Sequence, residues 1–410
     1  MRRSAVIEGL LGDVLVGDRY PVRIMAVINL SRESFYKGSI AAADEVLALA
    51  RSFADEGADL IDLGAVSTAP GSPAIDDAQE RERLMPALKQ IIDNLEIAVS
   101  VDTQRAKIAE ESLSIGASCI NDVSGLKDCR MAKTIAEHDS SAVIMASRDR
   151  PGDLLTLDQI IQILGERIRL AVAEGVSIEK ITIDPGVGRW IPDKMPEHDL
   201  MILDGFRRLR ALMRPVMAAI SRKSFIGAKL GQPDPMERLC GTLGATAVAV
   251  YNGAHIVRTH DVSASLDTIR IAQAIRGMPA SAEAGEIHVE VLGNLGGSEL
   301  VEHLRRIEVD ERGERQLSRK GAFRALSVKG LSSMEAIIIK QEMLARGGDA
   351  AIPKLALRCD PRPEEILVFG TISQLSGLMK SLEKQPFRLP AVAEAIDDAL
   401  RNIDGPGRYK

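Results

Sequence analysis

The 410-residue sequence has no cysteine pair at metal-binding or disulfide-framework spacing. Its four cysteines, Cys119, Cys129, Cys240 and Cys359, lie far apart with no CxxC among them, which argues against a zinc site or a disulfide framework and points to buried thiols in a reducing cytosol. No window approaches the ~20 consecutive apolar residues that a membrane helix needs. The opening Met1-Arg2-Arg3-Ser4 leads into alternating charged and apolar residues rather than a sustained apolar stretch, so no signal peptide is expected and a cytoplasmic location is. There is no excess of positive charge: 52 Lys and Arg stand against 58 Asp and Glu, a net −6, so bulk charge offers nothing to a nucleic acid. A Walker A motif, an internal repeat and a low-complexity tract are all missing, and no GxGxxG follows the first apolar run, which counts against an open dinucleotide-binding sheet.

What is present is a rhythm. Short, nearly continuous apolar runs occur at residues 24–28, 60–63, 97–101, 119–120, 142–145, 181–183, 216–220 and 254–257. Such runs suit strands buried on both faces. Between them lie segments with apolar residues three and four apart: 41–56, 76–94, 103–115, a shorter one at 130–137, then 157–173, 197–213, 235–252 and 262–276. Gly57-Ala58, Gly116-Ala117 and Gly253-Ala254 stand at helix-to-strand joins, where a left-handed cap is expected. Eight strand–helix units in roughly 255 residues predict an α/β fold, a (β/α)8 TIM barrel. The small-residue stretch 279–285 reads as a linker between this barrel, 1–278, and a smaller C-terminal α+β domain, 286–410. In that domain strands are expected near 287–292, 322–328 and 366–369, with helices at 298–306, 332–345, 372–383 and 391–401. Ser332 is a fitting N-cap and Gly347-Gly348 a fitting stop.

A barrel of this kind carries its active site at the carboxyl ends of its strands. Asn29 ends the first run, Asp62 lies near the end of the second with Ser67 and Thr68 after it, and Asp102 ends the third. Asn121 and Asp122 follow the fourth, Asp184 the sixth, Lys223 the seventh, and Arg258 and His260 the eighth. Singly, each has an ordinary explanation: Asp122 as a helix cap, Asp62 as a structural acid, His255 as a packed ring inside an apolar run. Together, seven of eight strands end in a side chain able to bind a polar ligand. Asp102, Asn121 and Asp184 suit a flat heterocycle rich in N–H groups, because a carboxylate accepts two such bonds at once. Lys223, Arg258, His260, Asn29 and Thr68 suit phosphate groups, and Asn29 is also an oxygen ligand that Mg²⁺ tolerates.

These residues stand in stretches that resemble, in order, the dihydropteroate synthase family: Asn29 to Phe35, Gly57 to Gly71, Val99 to Thr103, Ile120 to Gly125, Asp184 to Gly188, Ser221-Arg222-Lys223-Ser224-Phe225 and Arg258-Thr259-His260. The last two are the most specific, and the likeness covers about residues 22–277. The stretch from Met334 to Ala351 resembles an accessory domain appended to some members, of unknown role. The resemblance implies a transferase of folate biosynthesis that joins 6-hydroxymethyl-7,8-dihydropterin diphosphate to p-aminobenzoate with release of pyrophosphate. It implies pterin binding by Asp102, Asn121, Asp184 and Lys223, with Lys223, Asp102 and Asp184 catalytic. It further implies diphosphate contacts from Thr68, Arg258 and His260, Mg²⁺ at Asn29, and a second-substrate rim of Ser224, Arg189 and Pro70. A homodimer is expected. No covalent intermediate is required, in keeping with the absence of an obvious nucleophile–base pair.

Four loops depart from the family pattern. Ser31-Arg32-Glu33 replace Thr-Pro-Asp, Ala69 replaces an Arg, Met145-Ala146-Ser147 replace a Met-His pair, and Arg189-Trp190-Ile191-Pro192 follow where Phe and a nearby Lys are usual. The altered loops, with Arg32, Arg148 and Arg189, also fit a phosphorylated arylamine of the methanopterin pathway. A pterin-dependent methyltransferase and a pterin-binding non-enzyme complete the alternatives.

Overall fold

The computed structural model describes residues 6–30, 43–66, 75–277, 281–284, 287–290, 292, 296–354, 356, 364–401 and 403. The chain divides into two compact units, one running to Val291 and the other Leu292–Arg408.

The first unit opens with a hairpin, β1 (Glu8–Leu11) and β2 (Val14–Gly17), paired antiparallel. Eight parallel strands follow: β3 (Arg23–Asn29), β4 (Leu60–Gly64), β5 (Ala98–Asp102), β6 (Cys119–Asp122), β7 (Ser141–Met145), β8 (Ile181–Asp184), β9 (Met217–Ala219) and β10 (Ile256–Thr259). Their order is β8-β7-β6-β5-β4-β3-β10-β9, and a parallel bridge between Ile183 and Val216 closes the ring. The expected eight-stranded barrel is therefore present, and each expected strand overlaps an observed one.

Strand periodicity sorts the core. Ile24, Ala26, Ile28, Ile61, Leu63, Val99, Val101, Ile120, Ile144 and Ile183 belong to the main core shared with the surrounding helices. The alternate residues Met25, Leu60, Cys119, Val143, Met217 and Ile256 form a second cluster together with Leu11 and Val16 of the hairpin. Because side chains alternate across a strand, this second set lines the barrel interior, and the hairpin plugs its amino-terminal end. Gly12 N donates to Ser141 Oγ at 2.9 Å, which fixes the plug to β7. Each fully buried Leu or Ile stabilises the fold by about 1.5–3 kcal/mol.

The helices of this unit are α1 (Ala43–Asp55), α2 (Asp77–Asn94), α3 (Ala106–Ile115), α4 (Met131–Glu137), α5 (Leu157–Ala173), α6 (Pro196–Asp204), α7 (Ser224–Leu230), α8 (Leu239–Tyr251) and α9 (Val262–Arg276). Asp76 with Gln79 and Thr156 with Gln159 build reciprocal caps at the starts of α2 and α5, each satisfying two otherwise orphaned amides. The helix expected over 197–213 is broken. After α6 the chain tightens into a 3-10 segment, Phe206–Leu212. Gly205 stands at the break, where a Cβ would come within 2.4 Å of Leu157 Cδ2. The stretch expected as a linker, 279–285, is not featureless: β11 (Ser281–Ala284) pairs antiparallel with β12 (Ile287–Glu290).

The second unit contains α10 (Gly297–Arg306), α11 (Glu311–Gly321), β13 (Phe323–Leu331), α12 (Ser333–Leu344), β14 (Asp349–Ala351), β15 (Glu364–Thr371), α13 (Ile372–Leu382) and α14 (Leu389–Arg401). Its sheet is antiparallel in the order β13-β15-β14. Ile339, Met343, Ile366, Val368, Leu375, Leu378 and Leu389 pack into one core. Ser332 caps α12 in a box with Glu335, and Gly347 has φ +75 just past its end.

Candidate active site at the carboxyl ends of the barrel strands

The parity that sends Met25, Leu60 and Cys119 inward sends Asn29, Asp62 and Asn121 inward as well, since each lies an even number of residues further on. Asp62 is level with Ser100, and Gly64 with Asp102 and Asn29. Asp102 is level with Asn121, Met145 with Asp184, and Arg258 with Ala219. The interior thus changes along its length, from apolar near the hairpin to polar at the carboxyl ends. Gly64 leaves space between its neighbours: a Cβ there would lie 3.4 Å from Asp102 Cβ and 3.8 Å from Asn29 Oδ1.

Arg258 is central to the polar layer. Its Nε donates to Asp62 Oδ2 at 2.6 Å and its Nη2 to Asp102 Oδ2 at 3.0 Å. Asn121 Nδ2 donates to the same Asp62 oxygen at 3.2 Å. Two buried acceptors in this layer, Asp62 Oδ1 and Asn121 Oδ1, have no hydrogen-bond partner among the described residues, a costly condition for buried polar atoms. Burial pushes the Asp102 carboxyl up to about 7 against the pull of Arg258, with the Asp62 charge adding to the rise. Burial also raises Asp184, against the opposing charge of Lys223. Asp184 Oδ1 accepts Gly186 N at 2.7 Å. The layer is rich in acceptors and incompletely paired among the described residues, with the Asp102 carboxyl held near the point of protonation.

The two cations after β9 part company. Arg222 has φ +55, a left-handed conformation that costs a non-glycine residue about 1–2 kcal/mol. Thr242 Oγ1 accepts its amide at 2.9 Å. Its guanidinium grips Asp261 in two bonds of 2.8 and 2.6 Å and donates to the Pro235 and Met236 carbonyls. Arg222 is therefore a brace. Lys223, at the N-cap of α7, instead sends Nζ to the Val187 carbonyl and lies 5.0 Å from the centroid of the Trp190 ring. Burial lowers its pKa to about 8, so at neutral pH it stays mostly protonated.

His260 accepts from Asn29 Nδ2 at 3.3 Å through Nε2, and its Nδ1–H donates to Ser221 Oγ at 3.0 Å. Burial, followed by the Arg258 charge, lowers this imidazole to about 4, so it is neutral, and the Asn29 contact assigns the tautomer. The same contact turns the Asn29 amide nitrogen to His260, so Oδ1 is the Asn29 atom that could serve a ligand. Among the described residues no cluster of three or more His, Cys, Asp and Glu side chains could enclose a metal ion.

The structure thus brings together Asn29, Asp102, Asn121, Asp184, Lys223, Arg258 and His260. Ser224 and Arg189 are exposed, Ser224 in the first turn of α7 and Arg189 in the loop after β8. Thr68, Pro70 and Arg32 lie outside the described residues. Arg258, expected at a diphosphate, is engaged by two carboxylates. Asp122 is occupied by its own turn, accepting Ser124 N and Oγ and Leu126 N at 2.6–2.8 Å. Sequence reasoning did not give Asp62 its place under Asn121 and Arg258, although two-residue spacing from Leu60 was the available signal. It named Trp190 only as part of an altered loop and passed over the buried Lys194.

The pterin binding enzyme family matches residues 25–260. The dihydropteroate synthase of Bacillus subtilis is 34% identical over 267 residues, covering 65% of this chain and 90% of that protein. A probable bifunctional folylpolyglutamate synthase/dihydropteroate synthase of Halobacterium salinarum is 38% identical over 261 residues, 62% of this chain. The chain spans only 31% of that longer protein. A dihydropteroate synthase structure from Coxiella burnetii in complex with pteroic acid superposes with a TM-score of 0.60 at 32% identity, covering 66% of this chain and 98% of that one. No helix among the described residues is long and apolar enough to cross a membrane.

Proposed function

Since the chain belongs to the dihydropteroate synthase family of pterin-binding enzymes, we propose that it joins a dihydropterin methyl diphosphate to p-aminobenzoate, releasing pyrophosphate and forming dihydropteroate. The observation that carries the reading is a pair of buried acceptors without partners among the described residues, Asp62 Oδ1 and Asn121 Oδ1, beside a carboxyl raised to about 7. A pterin ring brings the N–H donors that such atoms need.

Asp102, Asn121 and Asp184 hold the ring, and Lys223 lies at its edge. The arylamine nitrogen attacks the exocyclic methylene carbon as the carbon–oxygen bond to the diphosphate breaks. The amine gives one proton to solvent and pyrophosphate leaves with the bonding pair. Carboxylates around the ring favour positive charge developing on the methylene. Lys223 is a cation placed before the reaction begins, so it needs no reorganisation as the leaving group gains charge, while Arg258 holds Asp62 and Asp102 in place. Neutral His260 orients Asn29. The Asn29 carbonyl oxygen fits Mg²⁺, which takes few protein ligands and shares the rest with phosphates and water; a bound Mg²⁺ would neutralise charge on the diphosphate.

Incubation with the pterin diphosphate, Mg²⁺ and p-aminobenzoate is expected to yield dihydropteroate and pyrophosphate in equal amounts. No product at saturating substrate overturns the reading. A second reading, a phosphorylated arylamine, is favoured by the exposed Arg148, Arg150 and Arg189 on the loops after β7 and β8. Those loops interlock, for a Cβ at Gly152 would come within 2.2 Å of Trp190. Competition between the two amines decides: an outright win for p-aminobenzoate removes the second reading.

A further inference from the structure

The loop after β8, residues 185–195, carries a buried ion pair outside the residues assigned to the reaction. Lys194 is 1% exposed. Its Nζ donates to Gly186 O at 2.5 Å and lies 3.4 Å from Asp199 Oδ1. Asp199, in the first turn of α6 and equally buried, accepts Gly188 N at 2.8 Å through the same oxygen. One pair therefore holds two backbone groups of the loop.

The same short loop positions Lys223. Val187 O accepts Lys223 Nζ. Gly188, at φ +118, clears the path of the lysine stem, since a Cβ there would come within 2.8 Å of Lys223 Cδ. The Trp190 indole Nε1 donates to Gly186 O and Val187 O at 3.1 and 3.2 Å, which sets its ring 5.0 Å from Nζ. Desolvating two charges cancels much of their mutual attraction, so a buried ion pair is a poor source of stability. Fixing a loop is a better account of this one.

We propose that the Lys194–Asp199 pair is a positioning device for Lys223. By holding Gly186 and Gly188 it sets the carbonyl and the indole ring between which the ammonium lies. The pair also acts on that ammonium through space. The charged groups facing Lys223 are Asp184 of β8, Arg258 of β10, Asp199 of α6 and Lys194 of the loop, and the last two pull its protonation in opposite directions: Asp199 raises it and Lys194 lowers it.

Trp190 is the only tryptophan in the chain, so its emission reports on this loop without need of turnover. In the full-length protein, emission followed against pH is expected to inflect near 8. Lys194→Met, which keeps the length of the side chain, should move the inflection up. Asp199→Asn, which keeps an acceptor for Gly188 N, should move it down. Shifts of opposite sign support the proposal, because loosened packing alone would not give them. No shift, or shifts of the same sign, overturns it. If Lys194→Met fails to fold, Asp199→Asn decides alone, a downward shift supporting and no shift overturning. The role in turnover rests on the assigned reaction: kcat/KM should fall about 100-fold in Lys194→Met, chiefly in kcat, and a wild-type kcat/KM in both variants also overturns the proposal. Opposite shifts in a protein that makes no dihydropteroate would support the positioning device and reject the reaction instead.

Discussion

Each end of the barrel holds an aspartate, an arginine and a histidine, and β10 runs between the two sets, with His255 just before it and His260 just after. At the amino end Asp18 accepts from Ile7 N at 2.8 Å, from Arg210 at 2.6 and 3.0 Å, and from His255 Nε2 at 3.2 Å. His255 Nδ1 accepts Val216 N at 3.1 Å. Although burial raises Asp18, the hydrogen bonds from His255 and Arg210 hold it well below the carboxylate range. At the carboxyl end Arg258 is shared by two carboxylates, two acceptors go without partners among the described residues, and burial takes Asp102 up to about 7. The same residue types serve opposite purposes. A completed network secures the plug, whereas the carboxyl-end network, incomplete among the described residues, is the one to which we assign ligand binding.

The comparison breaks most visibly through stability. Asp18→Ala removes the buried acceptor shared by Ile7 N, Arg210 and His255 and should cost about 3–5 kcal/mol, measured by denaturant unfolding, while the folded fraction keeps its kcat/KM. A stable variant, or a selective loss of turnover, would mean that the plug is not purely structural. Its pH signature has a definite sign. A depressed carboxylate stabilises the fold above its unfolded pKa near 3.8, and that contribution is lost as pH falls through its folded value.

Next in size is Lys223→Ala, which should lower kcat/KM by the equivalent of about 2–4 kcal/mol with little change in melting temperature. An unchanged rate would remove Lys223 from the site.

Asp102→Asn sharpens the contrast further. A carboxyl raised from 3.8 to about 7 contributes stability that is present at low pH and lost as pH rises through that window. The asparagine variant should therefore gain in melting temperature relative to the wild type between pH 4 and pH 8, while its kcat/KM falls at least about tenfold. A variant less stable than the wild type at pH 8 would place Asp102 with Asp18 as a structural acid.

The smallest effect is expected from removing the second unit. A chain ending at Val291 keeps every residue of both networks, so kcat/KM should stay within about twofold of the full chain. A larger loss would give the second unit a part in catalysis.

Much of this could be read in advance, and for a physical reason. Strands buried on both faces leave continuous apolar runs, so the eight barrel strands stood out. Polar residues at the ends of such runs have nowhere to go but the carboxyl pole, so Asn29, Asp102, Asn121, Asp184 and Lys223 did too. Ser332 was legible as a cap because its partner Glu335 is three residues away. The hairpin was harder to see: its strands are four residues each, with alternating character that an exposed terminus shares. Gly205 stands where the expected helix breaks, and the close approach of Leu157 that its missing Cβ admits is a contact no local pattern encodes.

What the sequence determined by itself is the barrel, its polar pole and the family, because these follow from periodicity and from residues close along the chain. The tertiary structure decided how those residues divide their work. Arg222 and Lys223 are adjacent cations, yet one is bound to Asp261 and the other reaches the site. Arg258 meets Asp62 across 196 residues of chain. Buried charges are assigned by the partners that folding brings within about 3 Å, and those partners are fixed only when the ring of strands closes.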